Sequence, residues 1–154
     1  MSLRSLVFPL LLFLTGCTAS AQAPVVYPKA ELFIETAAGQ RYRFDIEVAE
    51  SPEQHARGLM FRESMPVDAG MLFVYPNERP VAMWMQNTLI PLDMLFIAAD
   101  GRIAKIHERA KPLSTATIPS DHPVRAVLEL NGGTAARFGI RAGDRVAHPA
   151  FKKG

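Results

Sequence analysis

Cysteine is nearly missing from this chain: Cys17 is the only one in 154 residues. A single cysteine excludes an intramolecular disulfide and a multi-thiolate metal site. Histidine is sparse as well. The four, at 55, 107, 122 and 148, show no His-x-x-x-His spacing, and "HE" at 107–108 lacks the second histidine of a zincin. Phosphate loops, dinucleotide fingerprints and Gly-x-Ser-x-Gly elbows are all absent from the sequence. Neither sign of charge dominates: 17 basic and 15 acidic residues leave a formal +2, with no basic run to mark a nucleic-acid footprint. The expectation is therefore a protein with no resident metal or cofactor and no nucleic-acid partner.

The one marked apolar run, Leu6 to Leu14, follows Arg4 and is too short to span a bilayer. "LTGC" comes next (14–17) and is similar to the bacterial lipoprotein signal. That likeness implies cleavage before Cys17, acylation of its sulfur and new N-terminus, and a membrane anchor; several acyl chains on one residue hold stably where one is marginal. Thr18 rather than Asp after the cysteine favours the outer membrane by the same analogy. The alternative is an ordinary secretory signal cut after Ala21, giving a soluble periplasmic or secreted protein. We read residues 1–16 as signal peptide, 17–29 as a flexible tether of small residues and prolines, and 30–151 as one globular domain.

Within the domain, Tyr42, Phe44, Ile46 and Val48 alternate with Arg41, Arg43, Asp45 and Glu47, the period-two pattern of a half-wet strand. With "ELFIET" it predicts a hairpin turning at Ala38-Gly39. "SPEQHARGLMFR" predicts a helix: Ser51 at the N-cap, Pro52 at the first position, Gln54 closing a capping box, and Ala56, Leu59 and Met60 facing the core. "GMLFVY" predicts a strand, "NERP" a turn, and "VAMWM" and "LDMLFIAA" two more strands. Asp100-Gly101 predicts a turn into "RIAKIHERA", and residues 109–123, with three prolines, a long loop. "VRAVLELN" predicts a strand with Val124, Ala126, Leu128 and Leu130 on one side. "GGTAARFG" predicts a short helix ended by Gly139, and "IRAGDRVAH" a closing turn and strand. The fold expectation is α+β to mainly β: one domain, a curled or barrel-like, mostly antiparallel sheet, and two short helices.

"WMQNTLIPLDMLFI" (84–97), with "EVAESPEQ" (47–54), "RGLMFR" (57–62), "GMLFVY" (70–75) and "VLELNGGTAARFGIRAGD" (127–144), resembles family 192 of the domains of unknown function. The resemblance covers about residues 30–150, with the motifs in order. It departs at Gln86, where the family usually has Lys, and at Met83, where it usually has Phe. The family's aromatic near Ala116 to Ile118 is missing as well. The resemblance implies a small envelope or secreted domain and no established activity.

The candidate site is the polar insert in this apolar stretch. Trp84, Asn87, Thr88 and Asp93 could line a ligand pocket, and Glu129, on the face of its strand opposite Leu128 and Leu130, could meet Asp93 or an arginine in a shared polar cluster. Alternatively Asn87 and Asp93 brace the sharp connection that Pro91 imposes; bracing is the favoured reading, because no nucleophile–base pair accompanies them. The methionines are read as core filler rather than soft-metal ligands. "NGGTAARFG" reads as a tight helix entry rather than an anion site. The functional expectation is a non-enzymatic envelope lipoprotein domain, binding a small ligand or an envelope partner, with no catalytic residues. The alternative is a hydrolase or lyase on an envelope polymer, with Asp93 or Glu129 as general acid/base across a cleft.

Overall fold

The alternating segments expected from the sequence pair as a hairpin. In the computed structural model, which describes residues 24–151, β1 (Lys29–Glu35) runs antiparallel to β2 (Arg41–Ala49). The residues read as signal peptide, Cys17 and the first part of the segment read as tether lie outside the described residues. Packing starts before Ala30: the Tyr27 hydroxyl reaches the carbonyl of Gly58 at 3.2 Å, and the Val48 N–H donates to Pro28 O at 2.8 Å. The C-terminal end of the segment read as tether is therefore docked on the domain.

Helix α1 (Pro52–Arg57) carries the expected capping box. Gln54 N donates to Ser51 Oγ at 3.1 Å and Ser51 N to Gln54 Oε1 at 3.0 Å. Ala56 is exposed, contrary to expectation, while Leu59, past the helix end, is buried. Only six residues long, α1 has no complete buried face of its own, so its caps hold it. Ser51→Ala is expected to cost about 1 kcal/mol of unfolding free energy, measured by urea denaturation.

Next come β3 (Ala69–Arg79), β4 (Ala82–Met83), β5 (Leu92–Ile97), β6 (Ile103–Ala110), β7 (Ile118–Pro119), β8 (Val124–Asn131), α2 (Thr134–Phe138) and β9 (Arg145–Ala147). Two expectations fail here. "NERP" does not turn the chain: β3 continues to Arg79 across an irregularity that absorbs Pro76. "VAMWM" is a strand only at Ala82–Met83, because the residues after it form turns.

The main sheet has the order β6-β5-β8-β3-β2-β1-β9, antiparallel throughout except for β2 beside β3. That pair is parallel because α1 and the loop after it carry the chain back across the sheet. The sheet curls into a half-barrel. Its edges meet at one end, where Arg102 bridges Arg145 and Val146 N donates to Gly101 O at 2.8 Å.

Two cores result. The inner one holds Leu32, Ile34, Phe44, Leu72, Leu95, Ala126, Leu128 and Leu130, closed at one end by α2 and Phe138. The outer one lies on the other face of β3, β5 and β8. It holds Met71, Phe73, Met85, Met94, Phe96 and Val127, under α1 and the two connections at 80–91 and 111–123. Val124 joins this outer core, not the side of Ala126 and Leu128, because the β3–β8 register shifts beside it. Strands buried on both faces read as unbroken apolar runs, as "MLFV" and "LDMLFI" do.

Candidate functional site

Asp93 sits on β5 opposite Leu130, facing the inner core with no exposed surface. Its Oδ1 accepts from Arg109 N at 2.8 Å and from Gly133 N at 2.9 Å, and its Oδ2 from Ala135 N at 2.8 Å. Helix α2 has Gly133 at its N-cap, at φ 94°, so it has no capping side chain of its own. The carboxylate at this helix entry is the chain's own Asp93. The glycine is favoured by its φ in the left-handed region, and a Cβ there would also displace the Arg109 guanidinium, 2.7 Å away. Asp93 therefore locks β5, the end of β6 and α2 together, and both its oxygens are committed to main chain. Asp144 does the same on the other side of α2, accepting from Ala37 N at 2.9 Å and Arg141 N at 2.7 Å.

Glu129 lies on the opposite face. On β8 it pairs with Met71 on one side and Met94 on the other, in the outer core. It is 4% exposed. Burial pushes its pKa up to about 8. The Tyr75 hydroxyl on the same face is pushed up to about 12, by burial first and with the Glu129 charge adding, against the pull of Arg79. Asp93 and Glu129 thus point to opposite sides of one sheet and do not flank a common cleft, which removes the geometry of a carboxylate pair.

The remaining candidates meet on one side of the molecule. Thr88 is buried, and its hydroxyl bonds the Gln86 carbonyl at 3.3 Å, bracing the turn. Asn87 is exposed at φ 55°, a conformation asparagine tolerates. Its carbonyl accepts from Phe61 N at 2.8 Å, and the Thr88 carbonyl from Leu113 N at 3.0 Å, while Met85 N donates to Ser114 O at 2.9 Å. Three loops (58–62, 84–90 and 111–115) are thereby tied edge to edge. They carry four exposed large apolar side chains: Phe61 at 51%, Trp84 at 54%, Leu89 at 42% and Leu113 at 60%. Phe61 and Leu113 are also left-handed, at φ 65° and 63°. A bulky residue takes that conformation only when its surroundings force it, and such residues gather at functional sites.

Phe61 and Leu113 were missed at the sequence level. Neither falls in a periodic pattern, and nothing in either local sequence signals a positive φ. Three open cavities of about 600, 550 and 630 Å³ indent the surface; none of these three is lined by Trp84, Asn87, Thr88, Asp93 or Glu129. Among the described residues no cluster of three His, Cys, Asp or Glu side chains is placed to hold a metal, and no helix is long and apolar enough to cross a membrane.

Fold and site together define a small β-rich half-barrel domain with an apolar cluster of loops tied by main-chain bonds and a braced polar interior. The family model for domain of unknown function 192, described as "Uncharacterized ACR", matches residues 33–148, and the chain belongs to that family. Two solved structures are similar. One is a Sinorhizobium meliloti 1021 protein described as a candidate transcription regulator: 48% identity, 84% of this chain, 100% of that chain, TM-score 0.82. The other is a protein of unknown function from Novosphingobium aromaticivorans: 38% identity, 83% of this chain, 94% of that chain, TM-score 0.76. Among curated proteins nothing matches.

Proposed function

We propose that this protein is a non-enzymatic binding domain of the cell envelope, tethered as a lipoprotein through Cys17 and facing the periplasm, with the outer membrane favoured. The contact surface is the loop cluster of Phe61, Trp84, Asn87, Leu89 and Leu113. The observation that carries the reading is the tying of three loops by main-chain bonds so that four large apolar side chains stand in solvent. Scattered single apolar residues on a surface need no explanation, but a fixed group of them does. The rigidity matters too, because a contact surface held in place before binding loses less entropy on docking. Thr88, whose hydroxyl bonds the Gln86 carbonyl, serves as its support, and Asn87 is its polar member.

The test is chemical-shift mapping on the soluble domain (residues 24–154) with purified envelope components: muropeptides, lipopolysaccharide and phospholipid micelles. The expected result is a saturable shift of the Trp84 indole and of the amides of residues 58–62, 84–90 and 111–115. Shifts confined to the cavity between Lys29 and Gly70 would move the site away from the loops. Turnover of muropeptides that disappears in Glu129→Gln would replace the reading with an enzymatic one.

A further inference from the structure

We infer that the loop cluster docks on a phospholipid bilayer, the one to which Cys17 is anchored, and holds the domain in a fixed orientation on it. This rests on the reading of the loop cluster as the contact surface and names its partner.

The path of the chain gives the first reason. Pro24, Val25 and Tyr27 line the same surface cavity as Arg57, Gly58, Met60 and Phe61. Gln54 Nε2 holds the Val26 carbonyl at 2.8 Å, and the Val26 side chain stands exposed beside α1. The chain therefore enters the domain on the side of α1 and Phe61. Residues 18–23 are all that separate Cys17 from Pro24. Even fully extended, that leash reaches roughly 25 Å. A domain of this size is roughly 35 Å across. An acylated Cys17 thus keeps the bilayer nearer to Phe61 than to the far side of the sheet.

The chemistry of the surface gives the second. Two exposed aromatic residues, Trp84 and Phe61, stand on the tied loops with Leu89 and Leu113, and indole and phenyl rings favour the headgroup boundary. The charged residues on and beside the three loops are Glu53 and Arg57 of α1, Arg62, Glu63 and Lys111. Arg62 is paired with Glu47 at 2.5 Å, and the Arg57 guanidinium lies 4.7 Å from the Phe61 ring centre. Arg57 and Lys111 are matched by Glu53, which lines the same cavity as Phe61, and by Glu63, so this face carries no net charge to repel a headgroup layer. Acyl chains supply the attachment and the loops the orientation, the two-signal arrangement that makes a membrane contact persistent.

Trp84 is the only tryptophan, so its emission reports on this surface alone. The experiment uses the full-length acylated protein, reconstituted in vesicles of phosphatidylethanolamine and phosphatidylglycerol with or without brominated acyl chains. The expected result is a blue-shifted Trp84 emission that loses most of its intensity in brominated vesicles. Phe61→Asp with Leu113→Asp, two exposed positions, should restore that intensity while the acyl chains keep the protein in the vesicles. Circular dichroism matching the wild type establishes that the double variant is folded. Emission indifferent to bromination in vesicle-bound wild-type protein overturns the proposal. So does a blue shift that depends on protein density rather than on bromination, since a second copy would then cover the loops. If bromination has no effect yet muropeptide shifts still map to the loops, the bilayer fails as partner and the contact surface stands. If neither probe touches the loops, both readings fall.

Discussion

Asp93→Asn is expected to lower unfolding free energy by about 3 kcal/mol, read as a fall in the urea midpoint at unchanged slope. The aspartate takes three main-chain N–H groups on two oxygens, two on Oδ1 and one on Oδ2. An asparagine can still offer one oxygen to Arg109 N and Gly133 N. Its amide nitrogen then confronts the Ala135 N–H, donor against donor, in a site with no exposed surface. The charge assistance of all three bonds is lost as well, and such bonds are roughly twice as strong as neutral ones. Asp93→Ala strands all three donors and is expected to cost more. Damage should begin at α2, with amide protection lost first at Gly133–Ala135 and at Arg109. An unchanged midpoint would mean that the carboxylate does not hold these elements together.

That role was half legible. Flanked by Leu92 and Met94, Asp93 had to find donors inside the protein, so a brace was inferable from composition alone. Its partners were not inferable, because they come from residues 109, 133 and 135, far apart in the chain and brought together only by the β5–β6 and β5–β8 pairings. The same division runs through the fold. The β1–β2 hairpin, the capping box of α1 and the Gly139 C-cap are local, and each was read from a few neighbouring residues. The parallel β2–β3 pairing depends on where α1 returns the chain, which no local pattern encodes. Ala56 was assigned to the core by helical periodicity, but a six-residue helix held by its caps need not bury that side.

The loop cluster was legible only through Trp84 and Asn87. Asparagine is a common left-handed residue, and a lone tryptophan beside it draws notice. Phe61 and Leu113 are apolar residues that the pattern would place inside, and their exposure follows from main-chain bonds to Asn87 and Thr88. The expected pocket among Trp84, Asn87, Thr88, Asp93 and Glu129 is instead divided into layers. Asp93 faces the inner core, Glu129 and Thr88 lie in the outer layer, and Trp84 and Asn87 are on the surface.

Glu129 gives the second large effect, and its direction is opposite to that of a paired carboxylate. Its folded pKa is raised to about 8, from an ordinary value of 4.5, because burial between Met71 and Met94 penalises the charged form. Below about pH 4.5 the group is protonated in both folded and unfolded chains and imposes no charge penalty. As pH rises from there toward 8, the unfolded chain releases the proton while the folded chain retains it, so stability declines through that window. The full difference is roughly 4 to 5 kcal/mol above pH 8. Glu129→Gln removes the titration. Its urea midpoint should therefore vary less between pH 5 and pH 8 than that of the wild type, with the variant more stable at the alkaline end. A carboxyl held in the outer core against this penalty, in a chain where glutamine would fit the same space, is retained at a cost to stability, as groups with a working role often are. Equal pH dependence in the two proteins would show that Glu129 is solvated and ionised in the folded state, and the buried placement would be wrong.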